Sequence, residues 1–240
     1  MEVKKTRGYG LAASDVEGSW SPALKSKMKK VAFKTIMKQI TFIQQVQLLI
    51  WFNKEKKRAG KQDLSDLHAR GMTNQAFIKQ QLEYIALFSA LVKITGNDMA
   101  MKIMYSVMDA TADVLMVYLP EKEDVRRYGD PIAFFSKYLA VFPDASTTAG
   151  CHEVQITEDS ENALQFDITW CVWLELARKM GIPEACNPNC YADDLVYPGY
   201  FKSIGIKYYR TGTLAEGNKC CDFRFERLNA PVLKNTHSNE

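Results

Sequence analysis

HEVQITEDSENALQFDITWCVWLELARKMG, residues 152–181, decides the fold. Its first half alternates apolar and polar residues over two short runs, HEVQITED and ALQFDITW, separated by Ser160-Glu161-Asn162. A period of two sends successive side chains to opposite faces, so these runs read as a β-hairpin. The second half changes period. CVWLELARKM keeps helical spacing, and Gly181 with Pro183 just beyond closes it, because glycine accepts a left-handed cap and proline cannot continue a helix. Downstream, a cysteine-containing loop and short helix run to about Ser203. IKYYRTGTL and CDFRFERL then alternate again around a turn at Ala215–Lys219. The order is β-β-α-β-β.

Upstream of residue 150 the period is helical. Ser21-Pro22 marks a helix start, with proline at the first helical position. Leu24, Met28, Val31, Ile36, Ile40, Ile43, Val46, Leu49 and Ile50 then keep mostly three- and four-residue steps to about Lys57, the stripe of an amphipathic helix with room for one break. The charged run Lys54–Asp66 reads as a solvated connection. A second helix is expected from Asn74 to Thr95, ended by Gly96-Asn97, a third from Asp98 to Leu119, before Pro120, and a fourth from Pro131 to Val141. Met101, Met104, Tyr105, Met108 and Leu115 could be taken for a cofactor pocket, but methionines at helical spacing are ordinarily adaptable core. The expectation is an α+β protein. A helical region, 21–149, packs on a small antiparallel sheet, 150–229, as one compact unit, with a basic leader at 1–20 and a tail at 230–240.

The chain has 240 residues, 47% apolar and 25% charged, with a net charge of +3. That is enough to bury a real core and excludes disordered and fibrous classes. Lys4, Lys5, Arg7 and the lysines up to Lys38 crowd the first forty residues against Glu2, Asp15 and Glu17. A nucleic-acid or membrane-surface arm, or a segment docking on a partner, is conceivable, but a solvated helix face with a mobile tail accounts for the pattern, and the expectation is against nucleic acid. The opening MEVKKTRGYG has no apolar run, so no signal peptide is expected, and nothing approaches the ~18 apolar residues of a membrane span. All six cysteines follow residue 150. Without secretory context they read as reduced cytoplasmic thiols rather than a disulfide framework.

Three segments, ITWCVWLELARKMG, NCYADD and RTGTLAEGNKCCDFRF, resemble the L-2-amino-thiazoline-4-carboxylic acid hydrolase family. The resemblance rests on Cys190 shortly before Asp193-Asp194, and on a run carried by Arg210, Thr213, Leu214, Gly217, Cys221 and Phe223. It covers Phe166 to Phe225. It implies a hydrolase opening a cyclic amidine to N-carbamoyl-cysteine, with a small-molecule substrate. The last hairpin is also distantly similar to 4-vinyl-reductase-like domains, some of which hold zinc through cysteines; here Leu214 stands where another thiol ligand would be expected. A non-catalytic ligand- or metal-binding module is therefore the alternative reading.

Opening such a ring needs a nucleophile or activated water, a proton donor for the leaving group and a cation for the substrate carboxylate. Cys190 could attack as thiolate, with Asn189 capping a helix that begins at Cys190; it could equally be a buried apolar thiol. Asp193 and Asp194 lie three and four residues on, so one shares the thiol's face and could activate water or protonate the leaving group. Alternatively, both are acids favoured by the helix dipole. Arg210 offers a fork for the carboxylate, or pairs across the hairpin with Glu226. Thr213 and Cys221 complete the candidate substrate-binding set. Of Cys220-Cys221 only one can face inward on a regular strand, and Cys221 is the choice, with Phe223 and Phe225. Cys186 reads as an ordinary loop thiol, and His152 as a conceivable general base. No cofactor is expected; the alternative is zinc held by Cys171, Cys190 and Cys221.

Overall fold

The computed structural model describes residues 22–72, 75–115, 119–137 and 151–228. The basic leader, the tail and the end of the fourth expected helix lie outside the described residues. The long first helix is two, α1 (Pro22–Met37) and α2 (Phe42–Ala59). They divide at Thr41, whose side chain accepts from the Gln44 amide while the Gln44 side chain accepts from the Thr41 amide. This reciprocal cap satisfies two otherwise orphaned donors at a new helix start. Ile36 and Ile40 of the expected stripe are buried, but within α2 the stripe is not the buried face. Ile43, Val46, Leu49 and Ile50 are exposed, and Leu48, Glu55 and Ala59 turn inward. The polar residue Glu55 is admitted to that face because the Arg58 guanidinium reaches its carboxylate at 2.6 Å and also donates to the Met180 carbonyl.

The connection Lys54–Asp66 is partly helical, since α2 runs to Ala59 and a short α3 (Ser65–Ala69) follows. Helices α4 (Gln75–Thr95) and α5 (Asn97–Leu115) meet at Gly96, whose φ of 82° is the left-handed turn a glycine supplies. Asn97 opens the second of them rather than capping the first. A further helix, α6 (Lys122–Tyr128), was not signalled by apolar periodicity, and residues 131–137 are helical, α7. No described helix is long and apolar enough to cross a membrane.

Strands β1 (His152–Asp159), β2 (Ala163–Cys171), β3 (Ile206–Tyr209) and β4 (Cys221–Arg227) form one antiparallel sheet in the order β1-β2-β4-β3. Between the hairpins lie α8 (Val172–Lys179), a 3-10 turn (Pro183–Cys186) and α9 (Asn187–Lys202). The fold is α+β. Leu164, Phe166, Ile168, Cys221, Phe223 and Phe225 are buried on one sheet face against Phe201 and Ile204, and the Phe166 and Phe223 rings stack 5.0 Å apart. Burying each such aromatic ring stabilises the fold by roughly 1.5–3 kcal/mol. Cys221 thus faces inward with Phe223 and Phe225, as its place in the alternation requires.

The β1–β2 ladder carries two register shifts. Thr169 is an extra residue on β2, between the pairs Glu153↔Trp170 and Val154↔Ile168; Thr157 is an extra residue on β1, between Ile156↔Phe166 and Glu158↔Gln165. An extra residue resets the alternation of faces. Cys171, an odd position like Asp167 and Gln165, therefore packs against the same core as Ile168 and stands directly opposite His152.

The helical core, built on α1 to α5, includes Val172, Leu176 and Ala177 of α8 and Met180 just beyond it. Helix α9 touches α5 through an edge-on contact of Tyr191 with Tyr105 at 4.8 Å and a hydrogen bond from Tyr191 to Asp109. The starts of α8 and α9 thus lie where the helical layer and the sheet meet.

Candidate functional site

Helix α9 begins at Asn187, three residues before the expected start at Cys190. Cys186 is its cap residue and Asn189 lies inside the first turn, so Asn189 is not the cap. Pro188, near the helix start, needs no amide hydrogen bond there. Cys190 remains in the first turn, and Asp193 and Asp194 follow on the next.

Arg210 ties these residues together. Strand β3 ends at Tyr209, and the chain from Arg210 leaves the sheet, so the second hairpin is shorter than its alternation implied. The Asp222 carboxylate holds the departing chain by accepting from the Thr211 and Gly212 amides at 3.0 and 2.8 Å. A side chain at Gly212 would meet the end of the Asn218 side chain, which would have to move aside. The Arg210 guanidinium then reaches back to α9. It donates to Asp193 at 2.8 Å, to Asp194 at 2.6 Å and to the Cys190 carbonyl at 2.6 Å. Its side chain is only 4% exposed and lies over the Phe223 ring. The cross-strand partner expected for it, Glu226, instead pairs with Arg224. Burial alone would lower the Arg210 pKa; the two carboxylates outweigh it and hold the guanidinium firmly charged. Asp193 goes the other way. Burial pushes its carboxyl up to about 6, against the opposing pull of Arg210 and with added repulsion from Asp194.

The thiols gather on the other side of this node. Cys190 Sγ lies 4.0 Å from Cys186 Sγ. Cys186 in turn hydrogen-bonds Cys171, and His152 does so from across the hairpin. The Cys186 bond, seconded by His152, pulls the Cys171 thiol well below its ordinary value in spite of burial. Cys186 is correspondingly pushed up by its contacts with Cys171 and Cys190 and by burial. The His152 imidazole stacks on Trp173, 4.8 Å between centroids, and acts electrostatically on Asp193. Tyr84 Oη and Asn187 Oδ1 are buried and have no hydrogen-bond partner among the described residues. Burial, and then Cys186 and Cys190, hold the Tyr84 phenol well above its usual range. Buried groups of this kind are ordinarily satisfied, which sets these two apart.

The structure thus brings Cys190, Asp193, Asp194 and Arg210 together. It leaves Thr213 and Cys221 in internal contacts. The Thr213 hydroxyl accepts from the Glu216 amide and donates to the Glu216 carboxylate, capping a 3-10 turn (Leu214–Glu216) that ends at Gly217 with φ 89°. Cys221 Sγ accepts from the Leu214 amide at 3.2 Å, and burial pushes its thiol up to about 12. Cys186 and Cys171 are the residues that sequence reading undervalued. The first looked like a loop thiol, and the second turns inward only through the bulge at Thr169. Among the described residues no group of three or more His, Cys, Asp or Glu side chains is arranged to hold a metal ion.

The chain matches the L-2-amino-thiazoline-4-carboxylic acid hydrolase family over residues 70–225, more than half its length. It belongs to this family. The match takes in α4 and α5 as well as the motif-bearing sheet, so the helices that carry Tyr84 and Tyr105 are part of the family unit. No curated protein and no solved structure matches the chain.

Proposed function

We propose that the protein is a hydrolase that opens a small cyclic amidine such as L-2-amino-thiazoline-4-carboxylate, giving N-carbamoyl-cysteine. The observation that carries this reading is the meeting of three thiols, Cys171, Cys186 and Cys190, with the acid–base groups His152 and Asp193 at the starts of two helices. The reacting carbon is bonded to sulfur and two nitrogens. A thiolate can add to it, and the departing ring sulfur must collect a proton. With its carboxyl held at about 6, Asp193 can give or take a proton near neutral pH. Arg210 already serves two carboxylates and a carbonyl, which supports a positioning role, fixing Asp193 and the first turn of α9, over a clamp on the substrate carboxylate.

The commitment of Arg210, Thr213 and Cys221 to partners within the chain favours a second reading, a module that binds such a ligand without opening it. Steady-state kinetics on aminothiazoline carboxylate and on cyclic amidine analogues decide between them. Ring opening, read as release of a free thiol, is expected; saturable binding with no thiol released leaves the binding module in its place.

A further inference from the structure

We propose that Cys171, paired with His152 across the first hairpin, is the nucleophile of this site. The inference deepens the hydrolase reading and rests on it for the identity of the electrophile. Four observations single out Cys171 among the thiols. The ladder register sets His152 directly opposite it, so the two side chains share a face. Trp173 stacks on the imidazole and fixes its plane. Cys171 is the cap residue of α8, in extended backbone with φ −142° and ψ 121°, so the amides of the first turn of α8 point towards its end of the chain. A helix N-terminus and an adjacent histidine are two surroundings that stabilise a thiolate. Finally, Cys186 and His152 both act on the Cys171 thiol, and Cys171 is a half-buried residue rather than a fully buried one. The other groups that act on the pair are Cys151 and Cys221, both thiols pushed up to about 12 by burial, and Asp193.

In chemical terms, the Cys171 thiolate adds to the ring carbon, and the bond from that carbon to the ring sulfur breaks. The sulfur leaves as thiolate and takes the proton carried by the His152 imidazolium. This gives an isothiourea bonded to Cys171. Water then adds to the same carbon, one of its protons going to His152 and the other to an amidine nitrogen. The carbon–oxygen double bond forms, the carbon–Cys171 bond breaks, and the thiolate and imidazolium are restored. One water is consumed and no oxidant or reductant is needed.

The test uses the full-length protein and 2-chloroacetamidine, an amidine electrophile, with the modified cysteine mapped by peptide mass spectrometry. Cys171 is expected to be alkylated first, at pH 6.5 at least ~10-fold faster than a cysteine of the denatured chain, because an unperturbed thiol is only ~1% thiolate there. His152→Asn should move the alkylation inflection back up towards that of an ordinary thiol while circular dichroism stays unchanged. Cys171→Ser should lower kcat for ring opening by at least ~10³-fold. If ring opening proceeds but Cys190 or Cys186 takes the label first, the Cys171–His152 pair is overturned and the hydrolase reading stands. If Cys171 alkylates first but no amidine is opened, the reactive pair stands and the hydrolase reading falls. Should Cys171→Ser misfold, the wild-type label and its dependence on His152 still decide the matter.

Discussion

Arg210 and Arg224 belong to the same hairpin, and each is held by two carboxylates, yet they do different work. Arg210 is 4% exposed and ties the first turns of α9 to the chain leaving β3, through Asp193, Asp194 and the Cys190 carbonyl. Arg224 is 32% exposed and lies on the open face of the sheet, bonded to Glu158, Glu226 and Gln165. An arginine between two carboxylates makes a buried clip in one place and a surface network in the other. Burial, not the number of bonds, sets what each is worth.

The largest difference should appear on truncation. Arg210→Ala leaves Asp193 and Asp194 facing each other with their cation gone, and should cost ~3–5 kcal/mol in a denaturation experiment. A loss near 1 kcal/mol would mean that water reaches the node, and the contrast with Arg224 would collapse.

The next effect is one of sign. The Asp193 carboxyl is held near 6, above the 3.8 of an ordinary aspartate, chiefly by burial. A folded value above the unfolded one favours the fold when the group is protonated. Its contribution is full below about pH 4 and is lost as pH rises through 6. Asp193→Asn copies the protonated form, so relative to wild type it should gain on the order of 2 kcal/mol between pH 4 and pH 7. Glu158 runs the opposite way. Its hydrogen bond from Arg224 outweighs burial and lowers its pKa, so its contribution is present above the ordinary glutamate range and fades as pH falls. Glu158→Gln should therefore lose ground to wild type as pH rises from 3 to 7. Parallel slopes for the two variants would remove the distinction.

Smaller still, Arg224→Ala should cost within about 1 kcal/mol, and less at high salt. The smallest response expected is to chelator. Elemental analysis of protein purified without it should give well below one equivalent of zinc; a stoichiometric value lost in Cys190→Ser or Cys221→Ser would recast the thiol cluster as a metal site.

Both hairpins and α8 were legible because each has a clean period and an unambiguous stop, Ser160-Glu161-Asn162 in one case and Gly181 in another. Helices α3 and α6 were not, since Ser65–Ala69 and Lys122–Tyr128 are short and each buries a single side chain, Leu67 and Val125. In α2 the apolar stripe misled, because apolar residues occur on both sides of that helix and packing chose Leu48 over Ile43 and Leu49. For the site, Cys190, Asp193, Asp194 and Arg210 were named together from motif resemblance and do come together in space. What joins them was hidden, as nothing in the local sequence says that Arg210 reaches back seventeen residues to Asp193 rather than across to Glu226. Cys171, named from the sequence only as an alternative zinc ligand, was harder to place for a different reason. Alternation counts residues, and a strand with one extra residue miscounts its own faces.

The paired bulges carry a consequence for how this hairpin can vary among relatives. Thr157 adds a residue to one strand and Thr169 adds one to the other, so the frame at the hairpin tip is the frame at His152 and Cys171. Because each extra residue stands outside the pairs, losing Thr169 alone would make Ile168, Trp170 and Cys171 alternate regularly and leave Cys171 inward, opposite His152; losing Thr157 alone would leave Glu158 opposite Gln165. Losing both at once would shorten the hairpin and leave His152 opposite Cys171. Gaps in this part of an alignment should therefore fall singly, at position 157 or at position 169, without moving Cys171 from the inner face.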